Sequence, residues 1–511
     1  MSKKILKNSF QKENLLFFLI FSIYIFLQIR NINIDFWNDE VYTLQHFVFV
    51  PFQKIITDYH VPNNHVLFSI ITKIYLKIMG ITSLNSLMDR PYLLRILPLS
   101  FSIFTIICLY KTAKKIFNAD VALLSVLMMT TCIPYFNFCL QIRGYMLSIL
   151  LFVLMANHIL NFIKTKRNIY LVFITVISTL FIYTIPSNLY FILTVLMILG
   201  AYWIGQSKVD PSANSNINKP NCIYLMMAII AGTVVAIGLY IPMIRQVFFN
   251  EFVVGGTIHP RLKWKLISSV FIYIISGRYL FLLMMLVPIM MFKDFIKERF
   301  IGITVLMLTA MCTLPFLISF LRGDDPPDRV FVILIPVFSV LMAVLVHRTL
   351  ILLLQTETLN AKVMLVLVFY CLITFMNEQN KISNYLMDDL KNGRKSQDIH
   401  YSFYLYHYHP RDVIKEYIAD GNTDKLLVIK DCEMHDFPVY LDKFNVHYFM
   451  PDKLDSILIA SPNELFVVTR YPDLLMGYIN KKLALYTMDF DAQHLSYNNM
   501  VRLTKQEVPA K

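Results

Sequence analysis

The chain has 511 residues, of which 57% are hydrophobic and 16% are charged, and it contains 40 Phe and 29 Tyr. A soluble domain of this composition would leave a large apolar surface in water, so the composition excludes an ordinary soluble protein and indicates a membrane protein. The formal net charge is +13, but Lys and Arg cluster in short segments between apolar runs. That pattern orients membrane helices and argues against nucleic-acid binding.

The N-terminal region predicts a retained membrane anchor. Residues 14–30 form a long apolar run, and four lysines precede it within residues 3–12. Arg30 and a polar stretch follow the run in place of a small-residue cleavage site, so we expect the anchor to stay on the mature protein. Lysines concentrate on the cytoplasmic side of membrane helices, which places the N-terminus in the cytoplasm and the next loop outside.

Two adjacent carboxylates, Asp39 and Glu40, follow this first span within the stretch Trp37-Asn38-Asp39-Glu40. Carboxylates cost several kcal/mol in hydrocarbon, so the pair is expected at the interface or in a polar cavity. The placement predicts chemistry at the external membrane surface. Considered alone, the pair is better explained as a solvated turn after a helix, and only its conjunction with the other external features favours catalysis.

A short apolar segment, residues 65–80, predicts an amphipathic helix lying in the interface. The segment is too short for a hydrocarbon core of about 30 Å, and Lys73 and Lys77 lie four residues apart on one face. The polar string before it contains Asp58, His60 and His65. These three residues leave a divalent cation open without specifying a metal site, so we predict no cofactor, and a packed or capping role for His65 also remains open.

Further apolar runs predict ten more spans, about eleven in all. They lie near residues 93–111, 121–139, 144–163, 169–185, 187–205, 222–244, 268–292, 300–321, 329–347 and 361–376. A linker at 206–221, rich in Ser, Asn and Pro, is expected in the cytoplasm. We find no inverted internal repeat of the kind that marks many transporters.

Two arginines stand at the outer ends of later spans. Arg143 and Tyr145 flank Gly144 where a helix is predicted to begin, and Arg329 opens a late span. Free N–H groups and an Arg at such a helix end make a natural anion site. Residues two apart on a helix point in different directions, so Arg143 and Tyr145 are not expected to share a face. Each arginine alone is also explained as an anchor of a helix end at the lipid headgroups, but their conjunction on one side favours a binding site.

The composition changes near residue 377, where charged and polar residues become frequent. Short apolar stretches bounded by polar residues predict strands at 425–430 and 464–469, and Pro410 to Ile418 predicts a helix. The predicted fold is therefore an α-helical polytopic membrane protein with interfacial helices and a small C-terminal α/β domain on the extracytoplasmic side. The predicted domains are 1–376 and 377–511.

These motifs resemble the GT-C glycosyltransferases, in particular the bacterial family-39-like branch related to protein O-mannosyltransferases and the lipid A aminoarabinose transferase. The likeness covers roughly residues 14–200 and, more loosely, 320–345. It rests on Trp37-Asn38-Asp39-Glu40, Pro62-Asn63-Asn64-His65-Val66-Leu67, Gln141-Ile142-Arg143-Gly144-Tyr145 and Pro327-Asp328-Arg329-Val330-Phe331. Many relatives have His-Pro-Pro at residues 65–67, and some have a glutamate where Gln141 stands.

The resemblance implies an inverting glycosyltransferase that moves a sugar from a polyprenyl-phosphate donor to a hydroxyl of a lipid, glycan or protein acceptor. The enzyme would lie in the cytoplasmic (inner) membrane and act on its outer side. Asp39 would accept the acceptor proton as general base, and Glu40 would orient the loop or the acceptor.

The resemblance also implies a donor site. Arg143 and Arg329 would stabilise the leaving phosphate, and Asn64, His65 and Tyr145 would position the sugar or the phosphate by hydrogen bonds. Three alternatives remain open: an O-antigen ligase or polymerase, a transporter of lipid-linked sugars and a non-enzymatic scaffold. The first class has one large loop between late spans, and the second places its polar residues near the bilayer midplane. A scaffold would need no Asp-Glu pair at the membrane face.

Overall fold

A computed structural model describes eleven stretches of the chain. They are residues 3–205, 219–250, 299–322, 328–356, 358–391, 410–419, 426–429, 436–448, 464–468, 490–494 and 500–505. The chain forms two compact units, each described by itself. Unit 1 comprises residues 1–30, 50–78 and 94–378, and unit 2 comprises 31–49, 79–93 and 379–511.

The chain is a multi-pass membrane protein. Eight described helical segments are long and apolar enough to cross a membrane: Glu13–Asn31, Tyr92–Ile116, Tyr145–Thr165, Pro186–Gly205, Pro220–Phe248, Ile303–Leu321, Arg329–Leu354 and Ala361–Asn380. Two shorter apolar helices, Ala119–Thr130 and Ile169–Thr184, overlap two further predicted spans. The predicted span 268–292 lies outside the described residues, as does most of the linker 206–221.

The helices have the following bounds. In unit 1 and at its borders they are Lys3–Asn31, Phe52–Thr57, Val66–Ile78, Tyr92–Ile116, Ala119–Thr130, Ile133–Phe138, Tyr145–Thr165, Ile169–Thr184, Leu189–Gly205, Lys219–Tyr240, Ile244–Phe248, Arg299–Arg322, Ile335–Leu354 and Ala361–Lys391. Short 3-10 turns cover Pro186–Asn188, Ile241–Met243 and Asp328–Leu334.

The predicted continuous span 121–139 is wrong, because the helix ends at Thr130 and a separate short helix, Ile133–Phe138, follows. Pro134 lies in the first turn of the second helix, where its missing N–H is harmless, whereas it would interrupt the hydrogen bonding of a continuing helix. The Thr131 hydroxyl donates to the carbonyl of Leu127 at 2.7 Å and closes the end of the first helix. Arg143 therefore follows a short helix and a turn.

The predicted amphipathic helix is confirmed as Val66–Ile78, thirteen residues long. Its buried side chains recur every three or four positions, while Ile74, Lys77 and Ile78 are exposed. The buried set is Val66, Phe68, Ser69, Thr72 and Leu76. Lys73 does not extend outward freely, since its ammonium donates to the carbonyl of Val50 at 2.5 Å.

Unit 2 contains a four-stranded sheet of order β1-β2-β4-β3, with β1 and β2 parallel and the other pairs antiparallel. The strands are β1 Leu426–Ile429, β2 Glu464–Val468, β3 Phe490–His494 and β4 Met500–Lys505. Its helices are Asn38–Thr43, Leu84–Met88, Pro410–Ala419 and Asp436–Lys443, with a π-helical turn at Leu44–Val48. The predicted strands 425–430 and 464–469 and the predicted helix at 410–418 are confirmed. Phe466 of β2 packs edge-on against Tyr417, with ring centroids 5.0 Å apart.

The division into domains 1–376 and 377–511 stays a prediction. The compact units divide the late part of the chain after Glu378, close to the predicted boundary, but unit 2 also takes in residues 31–49 and 79–93. The Asp39-Glu40 loop therefore belongs to the same compact unit as the C-terminal region.

Candidate functional site

The Asp39-Glu40 pair lies in the first turn of the short helix Asn38–Thr43 in unit 2. Glu40 is fully buried, and its Oε2 accepts a hydrogen bond from the backbone N–H of Trp37 at 3.2 Å. The Asp39 side chain is half-buried, and its carbonyl accepts from the Thr43 hydroxyl at 2.7 Å. The two neighbouring carboxylates therefore differ, since Glu40 closes the start of its own helix while Asp39 retains access to solvent.

His65, in unit 1, is a buried and neutral imidazole. The backbone N–H of Gly144 donates to its Nδ1 at 2.7 Å, which places the ring proton on Nε2. Burial lowers the pKa of His65 well below its usual value, and the nearby guanidinium groups of Arg143 and Arg329 lower it further. His65 can therefore present an Nε2–H donor at neutral pH without adding a charge.

Arg143 lies in the turn before the helix Tyr145–Thr165, and 2% of it is exposed. Its Nη2 donates to Oδ1 of Asn63 at 3.2 Å, and its guanidinium carbon lies 5.8 Å from the centre of the Tyr145 ring. The expectation that Arg143 and Tyr145 point apart is wrong, because the helix begins only at Tyr145 and Gly144 is its N-cap. The helical spacing rule does not apply to a residue in the preceding turn.

Tyr145 joins these groups by ring contacts. Its ring meets that of His65 edge-on, with centroids 5.0 Å apart, and meets Phe138 at 4.9 Å. Edge-to-face packing of this kind fixes ring orientation. Tyr145 is therefore held between the imidazole of His65 and the cation of Arg143.

Arg329 is the fourth residue of this cluster. It is half-buried in the 3-10 segment Asp328–Leu334, and its charge acts on His65. The structure thus brings His65, Arg143, Tyr145 and Arg329 together within unit 1, whereas Asp39 and Glu40 belong to unit 2.

Asn64 stabilises the polar segment that precedes His65 through hydrogen bonds to backbone carbonyls. Its Nδ2 donates to the carbonyls of Ile55 and Asp58, at 2.9 and 2.7 Å, and its Oδ1 accepts from the Ser69 hydroxyl at 3.2 Å. The neighbouring Asn63 accepts the hydrogen bond from Arg143. The sequence prediction chose Asn64 and missed Asn63, although both residues belong to the motif. Contact between Asn64 and the lipid-linked sugar stays a prediction.

Tyr59 is a second residue that sequence reasoning missed. It is buried, and burial together with nearby Tyr145 raises its pKa, while Arg143 opposes the rise. Asn250 Nδ2 donates to the carbonyl of Tyr59 at 3.0 Å, and Gln246 accepts from its backbone N–H. Tyr59 thus keeps its hydroxyl proton next to the cluster, in a polar string whose tyrosine carries no special sequence signal.

The possible cation site at Asp58, His60 and His65 is not formed by these three residues. His60 Nδ1 pairs with Asp58 Oδ1 at 2.5 Å, while His65 Nδ1 accepts from Gly144. Within the described stretches, no group of three or more His, Cys, Asp or Glu residues is arranged to hold a metal ion. These histidines instead organise the loop.

Comparison with known proteins finds no matching protein-family model and no matching curated protein. The chain is similar to solved structures of ArnT from Cupriavidus metallidurans, bound to undecaprenyl phosphate (11% identity, TM-score 0.48, 95% of this chain and 97% of that chain covered) and in the apo state (10%, 0.48, 94% and 97%). It is also similar to the Archaeoglobus fulgidus oligosaccharyltransferase tethered to an acceptor peptide (11%, 0.36, 75% and 55%). These proteins belong to the GT-C group that the motifs resemble. Identities near 10% and TM-scores below 0.5 are too low to transfer a residue role, a substrate or an acceptor to this chain.

Proposed function

We propose that this protein is an inverting glycosyltransferase that moves a sugar from a polyprenyl-phosphate donor to a hydroxyl acceptor outside the cytoplasmic membrane. The observation that carries the proposal is the cluster of Arg143 and Arg329 around a neutral His65 in unit 1. Two guanidinium groups beside an uncharged N–H donor suit a phosphate, which offers several strong acceptor oxygens and negative charge.

The cluster would act on the leaving group. As the bond between the sugar C1 and the phosphate oxygen breaks, the lipid phosphate gains negative charge, and Arg143 and Arg329 would stabilise it. His65 would donate from Nε2 to a phosphate or sugar oxygen. Because Arg143 is buried and bonded to Asn63, little reorganisation would be required during the reaction.

Asp39 is proposed as the general base. It would take the proton of the acceptor hydroxyl while that oxygen attacks C1 opposite the leaving phosphate, which gives a single displacement with inversion. The choice between the two carboxylates follows from their surroundings. Glu40 is buried and accepts the Trp37 N–H, so it is proposed to orient the turn, whereas the half-buried Asp39 side chain is accessible to a substrate.

The proposed external position of the active site and the proposed lipid-linked sugar donor support each other. Nucleotide sugars are absent outside the cytoplasmic membrane, so an external transferase requires a sugar already carried across on a lipid. The eight helices of spanning length provide the membrane setting for such a donor. The acceptor is proposed to be a lipid, glycan or protein hydroxyl. The active site and the C-terminal region are proposed to be extracytoplasmic.

The proposal is tested by incubating purified protein in sealed proteoliposomes with a panel of polyprenyl-phosphate sugars and measuring both cleavage of the donor and its movement across the bilayer. We expect one donor to be consumed, and Asp39→Asn to abolish its consumption. Asp442→Asn, which removes an exposed carboxylate from unit 2, is the matched control and should retain activity. Near-normal turnover by Asp39→Asn would remove Asp39 as the base. Movement of an intact donor across the bilayer would favour the transporter instead.

A further inference from the structure

The segment that leads into Asp39 is bound by an arginine far along the chain. The backbone N–H of Arg411 donates to Asp35 Oδ2 at 2.9 Å, and its Nε donates to Asp35 Oδ1. Arg411 Nη2 donates to the carbonyl of Asn33 at 2.9 Å. One residue thus holds both oxygens of a carboxylate that is 3% exposed and a carbonyl two residues before it.

A tyrosine continues this attachment at the next residue. The backbone N–H of Phe36 donates to the Tyr440 hydroxyl at 2.8 Å, and that hydroxyl donates to the Phe36 carbonyl at 3.3 Å. Phe36 and Tyr440 are both fully buried. The Trp37 N–H then donates to Glu40, so the polar contacts form an almost continuous series from Asn33 to the turn that bears Asp39.

Arg411 and Tyr440 belong to the helices Pro410–Ala419 and Asp436–Lys443. These two helices also bind residues 79–93, the other early segment of unit 2. Arg411 Nη1 donates to the carbonyl of Met88 at 2.9 Å. Lys443 pairs with Asp89 and donates to the carbonyl of Asn85 at 3.3 Å. The helices Pro410–Ala419 and Asp436–Lys443 therefore join two distant parts of the chain within unit 2.

The chemistry of these contacts requires these residue types. A guanidinium presents its donors in a rigid fork, which here reaches a carboxylate and two carbonyls at once, and a lysine ammonium cannot reproduce that geometry. A buried N–H such as that of Phe36 loses its partner if the Tyr440 hydroxyl is removed. The contacts therefore fix backbone positions rather than adding general stability alone.

We propose that Arg411 and Tyr440 are positioning residues for Asp39, so that the C-terminal region takes part in the reaction by setting the place of the base. This inference rests on the proposed function for its catalytic consequence. Arg411 and Tyr440 do not contact substrate; they act through Asp35 and Phe36. A displacement of a reacting group by about 1 Å lowers rates by about 100-fold, so loss of this attachment should act mainly on kcat.

The test compares Arg411→Lys and Tyr440→Phe with Lys415→Ala, which changes an exposed residue of the same helix. For each variant, kcat and the KM for the lipid donor are measured, together with hydrogen exchange of a peptide covering residues 33–41. We expect kcat to fall at least about tenfold in the first two variants with donor KM within about twofold of the wild type. Exchange in that peptide should accelerate by about tenfold or more, and Lys415→Ala should change neither.

The two readouts separate this inference from the proposed function. Exchange is measured without substrate, so it reports the attachment even if no lipid donor is consumed by the wild-type protein. Faster exchange with unchanged kcat in an active enzyme would overturn the positioning role. A rise only in acceptor KM would assign the C-terminal region to acceptor binding and would also overturn it. Unchanged exchange in both variants would refute the attachment itself. Tyr440→Phe removes a single oxygen, so it keeps the test valid if Arg411→Lys fails to fold.

Discussion

Replacement of Gly144 by alanine tests the packing of the donor cluster. A Cβ added at Gly144 would lie 2.8 Å from Thr184 Cγ2, 3.0 Å from His65 Cβ and 3.1 Å from His65 Nδ1. The backbone angles at Gly144, φ −72° and ψ 2°, are open to alanine, so the expected effect is steric. Either Thr184 or His65 must move, and movement of His65 would loosen the hydrogen bond from the Gly144 N–H.

The magnitude follows from two terms. Overpacking of a buried site by one methyl group typically costs about 1–3 kcal/mol, and a weakened neutral hydrogen bond costs about 0.5–1.5 kcal/mol. We therefore expect Gly144→Ala to lower the free energy of unfolding by roughly 1.5–4.5 kcal/mol. We also expect weaker donor use, because His65 and Arg143 flank the altered position.

The measurement is thermal unfolding in nanodiscs, combined with donor KM. Thr184→Ser removes the methyl group nearest the new Cβ and keeps the hydroxyl that donates to the carbonyl of Leu180 at 2.7 Å. The double variant Gly144→Ala with Thr184→Ser should therefore recover much of the loss. Gly200→Ala is the matched control, since nothing lies within 4 Å of its added Cβ. If Gly144→Ala unfolds and uses donor like Gly200→Ala, the close packing of this turn is refuted.

Two further predictions concern the charges of the cluster. Arg143→Ala should lower kcat/KM for the lipid donor by roughly 10- to 100-fold, which corresponds to the loss of one charged hydrogen bond. Arg167→Ala removes an exposed arginine and should leave kcat/KM unchanged. Equal effects of the two variants would refute the role of Arg143 in binding the donor phosphate. The free energy of unfolding should also depend on pH through His65. The pKa of His65 is depressed in the folded protein, whereas the unfolded chain takes up this proton at the ordinary histidine pKa of about 6.5. The stability that the neutral imidazole contributes is therefore fully present above pH about 6.5 and is lost as the pH falls toward the folded pKa. His65→Gln should flatten this decline, and a variant with the wild-type pH profile would contradict the assignment of a buried neutral imidazole.

The parts of the fold that sequence predicts well are those set by local pattern. Spans follow from long runs of apolar residues, the helix Val66–Ile78 follows from its period, and β1 and β2 follow from short apolar stretches bounded by polar residues. The strand Phe490–His494 lacks such an apolar stretch, since Asp491 and Gln493 alternate with Phe490 and Ala492, and it was not predicted. The break after Thr130 was also missed, because hydropathy is insensitive to the backbone effect of Pro134.

The candidate site divides in the same way. Asp39, His65 and Arg143 could be selected because charged or titratable residues beside membrane spans are expensive and informative. Their partners could not be selected. The contact between Arg411 and Asp35 joins residues 376 apart, and no local period or motif encodes such a distance. The choice between Asn63 and Asn64 depends on side-chain direction in a turn, which residue type alone does not specify.

The release of polyprenyl phosphate from a lipid-linked sugar tests the central claim most directly. Labelled donor and acceptor are incubated with the wild-type protein, and released lipid phosphate and transferred sugar are counted, with Asp39→Asn and Glu40→Gln measured in parallel. We predict one lipid phosphate released for each sugar transferred, no release by Asp39→Asn, and donor binding retained by that variant. Glu40→Gln should keep a reduced rate, since its amide oxygen can still accept the Trp37 N–H. Equal release by the wild type and Asp39→Asn would contradict the account.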